Sequence, residues 1–208
     1  MKLGELARDT GVSTATIKYW IREGILPPGA LRNQTTAVYG PAHADRIRLI
    51  RTLREQFDLP IGEIRELTRL IDDPAVPLLS VLESCQLIAT GLRPAAPSPA
   101  ARARVDEVIA RAGWPAVPSV ARDALAAELD CDGREVPIER LVQYARALGP
   151  FAEHDVRLVQ PGGPGARSRD AVARDLLVGA AQQVRLLLAM NQLAHTSAAI
   201  AHADERRA

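Results

Sequence analysis

Five side chains near the start of this chain could do recognisable chemistry: Thr14, Thr16, Lys18, Tyr19 and Arg22. Hydroxyls, an ammonium, a phenol and a guanidinium are groups that hydrogen-bond phosphate oxygens and base edges. They are interleaved with Ile17, Trp20 and Ile21, whose i, i+3, i+4 spacing predicts a helix with its apolar side inward and the polar five outside. The preceding KLGELARDTG carries Leu3, Leu6 and Ala7 on one helical face. Gly11 suits the left-handed turn that ends it, and Ser13 or Thr14 can cap the next helix. Gly24 closes that second helix. Two short helices about a tight glycine turn, the second polar and basic outside, form a helix-turn-helix pattern whose second helix reads duplex DNA. A plain helical hairpin with solvated Lys18 and Tyr19 would show the same spacing, so the neighbouring residues decide between them.

The run ILPPGALRNQTTAVYGP has no helical periodicity and is rich in Pro, Gly, Asn and Thr. It predicts two short strands around a loop, the second containing the β-prone AVY. Such a hairpin, bearing Arg32, Asn33, Gln34 and Tyr39, is a wing beside the reading helix. A third helix from about Ala42 to Phe57 would bury Ile47, Leu49, Ile50 and Leu53 and leave Arg46, Arg48, Arg51 and Arg54 outside. A fourth, from about Ile61 to Ile71, would bury Ile64, Leu67 and Leu70, and Asp72, Asp73 and Pro74 end the domain.

With these residues in place, the segment from Lys2 to Asp72 resembles the DNA-binding domain of MerR-type transcriptional regulators. The resemblance rests on KLGELARDTGVS, TIKYWIREGILPP, a wing closing on Tyr39, AHADRIRLIRTLRE and LPIGEIRELTRLID. The chain departs from the family at two points. Its reading helix has Ile17-Lys18-Tyr19-Trp20-Ile21 where the family usually has Ile-Arg-Tyr-Tyr-Glu. Lysine keeps the charge but loses the bidentate fork. Ala37 stands where the wing often carries arginine. The resemblance implies a winged helix-turn-helix, double-stranded DNA as partner, a homodimer on two half-sites, and RNA polymerase at the promoter.

Composition frames the rest. A 208-residue chain with 47% apolar and only 3% aromatic residues favours packed helices in one or two domains. The net charge of +1 is not a global basic signature, but residues 1–57 hold nine basic against five acidic side chains, a local surplus of four. No charged-then-apolar leader opens the chain, and DLLVGAAQQVRLLLAM is broken by Gln182, Gln183 and Arg185, so no membrane partner is expected. Cys85 and Cys131 lie in ordinary helical contexts, which argues against a structural disulfide and for the cytoplasm of a bacterium.

After residue 74 a long dimerising rod is disfavoured, because Pro94, Pro97 and Pro99 interrupt RPAAPSPAA. Helical segments follow at RARVDEVIARAG, PSVARDALAAEL and IERLVQYARALGPFAEHDVRLV, and a final long helix from about Arg169 to Ala203. The expected fold is mostly α: a winged domain at 1–73, with four helices and a small β-hairpin, then an α-helical dimerisation and effector domain at 75–208. Gly113, Trp114, Pro115, Val117 and Pro118 resemble an uncharacterised branch of MerR-like regulators from high-GC bacteria.

Other candidates yield less. PGGPG at 161–165 lacks a following Lys-Ser/Thr and a preceding strand, so it predicts a linker, not a phosphate loop. His195 and His202 share a face without a third ligand, and the two cysteines are far apart, so neither a metal nor any other cofactor is expected. No catalytic constellation is visible, and enzyme activity is not expected. Trp114, Tyr144, Phe151 and Met190 could line a pocket for a small apolar effector, or simply fill the core. The last helix is apolar over too wide an arc for one-sided cover, so it lies centrally or against a second copy. The alternatives to a dimeric promoter regulator are an effector-independent architectural DNA-binding factor and a helical protein-interaction module.

Overall fold

In the computed structural model, residues 1–31, 37–92, 96–131, 135–158 and 167–206 are described. In chain order the elements are α1 (Leu3–Thr10), α2 (Thr14–Arg22), β1 (Ala30–Leu31), β2 (Ala37–Val38), α3 (Pro41–Glu55), α4 (Ile61–Asp72), α5 (Leu78–Thr90), α6 (Pro99–Ala112), α7 (Val120–Cys131), α8 (Ile138–Leu158) and α9 (Arg169–Glu205). A winged helix-turn-helix followed by helices is the fold class expected from the sequence. Among the described residues no helix is long and apolar enough to cross a membrane.

The chain divides into two compact units, Met1–Thr90 with Ser168–Ala208, and Gly91–Arg167. This differs from the expected break after Asp73. Both α5 and the first half of α9 pack with the winged helices, α9 lying against α3 and α5. The cause is apolar area: Val81, Cys85, Ala173 and Leu177 join Leu6, Ile17, Trp20, Ile47, Ile50 and Ile64 in one core. A segment ending at Asp73 would leave that side of α3 uncovered.

Local signals place the ends of the first helices. Glu5 accepts from the Lys2 amide at 2.7 Å, and Gly11 closes α1 at φ 67°. Ser13 is the cap of α2, accepting from the Thr16 amide at 3.1 Å. The amides of Ile25 and Leu26 both donate to the Trp20 carbonyl, which ends α2 and turns the chain toward the wing. The strands pair antiparallel, Ala30 opposite Val38 and Leu31 opposite Ala37. Gly29 is required there, since a Cβ would come within 2.9 Å of the Tyr39 ring.

In the second unit, Ala101, Val105 and Ala126 form a small core with Ile109 and Leu129. Prolines begin a helix here: Pro99 occupies the first turn of α6 behind the Ser98 cap. Asp130 of α7 holds that cap, accepting from the Ser98 amide at 2.6 Å and its hydroxyl at 2.9 Å. Arg102 donates to Asp123 at 3.0 Å, a second tie between α6 and α7.

One expectation for α3 is overturned. Arg46, read as an outward side chain, is 3% exposed and sits in a network of two carboxylates and a carbonyl. Its position explains this, for it shares a helical face with Ile50 and Leu53, and α9 covers that face. Arg48 pairs with Asp9 and Asp45, Arg51 with Glu55 and the Thr10 carbonyl, and Arg54 bonds the Leu59 carbonyl. Much of the local basic surplus is therefore taken up by partners within the chain, Arg46 in the interior and Arg48, Arg51 and Arg54 at the surface.

Candidate nucleic-acid interface

Helix α2 is two-sided. Ile17 and Trp20 are buried at 0% and 7% exposure, and Ile21 packs against the same core. On the opposite side Thr14, Lys18, Tyr19 and Arg22 are exposed, with Thr16 half-buried. Thr16 is partly occupied at the cap, its hydroxyl 2.8 Å from that of Ser13. The Arg22 guanidinium lies 5.4 Å from the Tyr19 ring centroid, a cation–π distance that keeps the two together on the helix surface. Among the described residues no carboxylate pairs with Lys18 or Arg22. Glu23, the nearest in sequence, is engaged by Arg65 of α4 at 2.9 Å. The exposed face thus presents two positive charges, a phenol and a free threonine, a set suited to phosphates and base edges.

The wing residues are placed differently. Arg32, Asn33 and Gln34 lie outside the described residues. Tyr39, expected to contact DNA, is 6% exposed, with its ring over Gly29 and edge-on to His43 at 5.2 Å between centroids. Its backbone exchanges hydrogen bonds with Met1, the amide donating to the Met1 carbonyl at 2.9 Å. Tyr39 therefore holds the base of the wing and has no surface to offer a duplex.

The four side chains considered for an effector are divided between the two units. Trp114, Tyr144 and Phe151 belong to the unit 91–167 and are 42%, 49% and 62% exposed. Trp114 lies over α8, its indole nitrogen 3.6 Å from where a Cβ of Gly149 would be. Met190 belongs to the other unit, on an α9 segment where every residue from Arg185 to Ala203 is exposed. The PGGPG run lies outside the described residues.

Sequence reasoning missed the groups that brace α2 from behind. Arg65 donates to the Glu23 carbonyl at 2.9 Å, and Arg46 donates to the Ile25 carbonyl at 3.3 Å. Arg46 also donates to Asp170 at 2.5 Å and to both oxygens of Asp72. Burial alone would lower the Arg46 pKa, but the hydrogen bonds to Asp72 and Asp170 outweigh it and hold the guanidinium charged. The alignment of Arg46 with Ile50 and Leu53 was a signal for its burial. The partner 124 positions away had none.

Residues 1–70 match the family described as MerR HTH family regulatory protein. The HTH-type transcriptional regulator ZntR homolog of Haemophilus influenzae (strain ATCC 51907 / DSM 11121 / KW20 / Rd) is 31% identical over 70 residues, 34% of this chain and 51% of that protein. The chain thus matches about half the length of that curated relative. The crystal structure of SCO5550 from Streptomyces coelicolor A3(2), a protein proposed to regulate transcription, is similar over 95% of both chains, with 28% identity and a TM-score of 0.61.

Proposed function

We propose that this chain is a transcription regulator that binds double-stranded DNA through the outer face of α2 and acts as a homodimer. The observation that carries the reading is the exposed Lys18–Tyr19–Arg22 face, opposite the buried Ile17–Trp20 face, within the residues that match the MerR family. Thr14, Thr16, Lys18, Tyr19 and Arg22 would meet the major groove and its flanking phosphates, with Arg32, Asn33 and Gln34 reaching the backbone from the wing. Tyr39 has a supporting role. At a promoter, binding would bend or untwist the spacer and so change what RNA polymerase meets.

The dimer reading rests on the exposed half of α9. Leu186, Leu193 and Ile200 are 61%, 60% and 58% exposed and recur every seven residues, with Met190 between the first two at i+4 and i−3. This spacing supports a coiled-coil seam, in which Met190 would serve self-association and not an effector. Leu193 stands at the centre of the three, so such a pairing would cover it. A small apolar effector would meet the 91–167 unit at Trp114, Tyr144 and Phe151.

The test is a gel shift with duplex enriched from a random pool by the protein itself. Binding should weaken steeply with salt as phosphate contacts are lost, and a footprint should show two half-sites about one helical turn apart, or a multiple of it. A pool that yields no salt-sensitive duplex would sink the reading and leave the helical interaction module in its place.

A further inference from the structure

Arg46 joins three parts of the fold that are far apart in sequence. From α3 its Nε donates to Asp170 Oδ1 at 2.5 Å, in the first turn of α9. Its Nη1 donates to Asp72 Oδ2 at 3.1 Å, at the end of α4, and to the Ile25 carbonyl at 3.3 Å, where the chain leaves α2. The same turn of α9 is held twice more. Ser168 Oγ donates to Asp45 Oδ2 at 2.8 Å, and Arg169 donates to the carbonyls of Asp73 at 2.9 Å and Val76 at 2.7 Å. Asp170 is 7% and Arg46 3% exposed, so this contact is buried, while the Asp72 side chain on the other edge of the guanidinium is 54% exposed. A guanidinium is planar, and fixing its Nε edge fixes the direction of both Nη groups. The direction of Nη1 in turn bears on the Ile25 carbonyl. That carbonyl belongs to the two-residue stretch, Ile25 and Leu26, whose amides close α2 on the Trp20 carbonyl.

We propose that Asp170 is a positioning residue for the reading helix: through Arg46 it orients the chain at Ile25 and so sets the pose in which Lys18 and Tyr19 face the duplex. This rests on the DNA-binding reading above. Asp170 does not touch DNA itself. Its effect falls on sequence discrimination, which needs accurate placement of base-reading groups, and spares the general attraction of Lys18 and Arg22 for phosphate.

The test uses full-length Asp170→Ala and Asp170→Asn, the latter keeping an acceptor for Arg46 Nε. Two quantities are measured: amide hydrogen exchange at Ile25 and Leu26 against Leu67 and Thr68 in α4, and affinity for the enriched duplex against random duplex. In Asp170→Ala, exchange at Ile25 and Leu26 should quicken roughly tenfold beyond any change in α4. Affinity for enriched duplex should fall roughly tenfold, with random duplex changed less than about twofold. Asp170→Asn should restore most of both. If the alanine variant fails to fold, Arg46→Lys, which keeps the charge and loses the fork, should give the same pattern. Equal changes at all four amides, or in both affinities, would make the contact merely structural and overturn the proposal, as would no change at Ile25. A wild-type protein that enriches no duplex would refute the DNA reading, while the exchange comparison would still decide whether Asp170 governs Ile25.

Discussion

Replacing Leu193 by alanine tests the self-association of α9 most directly. The side chain is 60% exposed in the single chain, so pairing removes only that remaining share from water. Full burial of a leucine stabilises by about 1.5–3 kcal/mol, so the exposed share is about 1–2 kcal/mol per protomer. A dimer buries it twice, and alanine retains a small part through its methyl group. The expected loss is about 2–3 kcal/mol, a rise in dimer dissociation constant of roughly 30- to 150-fold. Leu188 is the control. It is 65% exposed yet lies off the seam, on the face it shares with His195 and His202. Leu188→Ala should leave the dissociation constant within about twofold, because its apolar area stays in water in both states. Sedimentation equilibrium over a micromolar dilution series reads both values. A full-length monomer would remove the two-fold operator arrangement, and equal effects of the two substitutions would show that exposure, not the seam at Leu193, governs association.

Lys18→Ala and Tyr19→Ala should each weaken binding to enriched duplex, by about 1–3 kcal/mol if the side chain reaches a base edge, with unchanged thermal unfolding. Wild-type affinity in both would refute this orientation of α2. Trp20→Ala removes a 7% exposed indole from the core and should destabilise the winged unit by about 3–5 kcal/mol, read by chemical denaturation. A variant of native stability that fails only in DNA binding would place Trp20 against the duplex instead. In the 91–167 unit, the Arg102 hydrogen bond holds the Asp123 carboxyl below its ordinary value, and the Ser98 amide and hydroxyl do the same for Asp130. Both folded values are depressed, so their contribution is present above the ordinary carboxylate range and fades as pH falls through the lowered values. Amide protection of α6 and α7 should therefore hold from neutral pH to about pH 4 and drop below it, and protection unchanged down to pH 2 would contradict the role given to these two carboxylates.

What the sequence by itself determined is local. The alternation of Ile17, Trp20 and Ile21 with Lys18, Tyr19 and Arg22 settled the two faces of α2, because a helix repeats every 3.6 residues whatever surrounds it. Gly11, Ser13 and Gly24 marked its limits through backbone conformation and capping, whereas Pro99, expected only to interrupt a helix, opens α6 behind the Ser98 cap. The tertiary structure decided which segment covers which face. Periodicity shows that a stripe is apolar but not what lies upon it, so α9 returning to pack on α3 and α5 had no signal in any single window. Arg46 shows the consequence: a basic residue at the edge of an apolar stripe is solvated or buried according to whether a carboxylate arrives from elsewhere, and Asp170 does. Tyr39 shows the reverse case. The sequence pointed Tyr39 to DNA contact, and only the fold shows its ring packed over Gly29. The heptad of Leu186, Leu193 and Ile200 is legible in the sequence, but only the fold shows that it remains uncovered after the first turns of α9 have been buried.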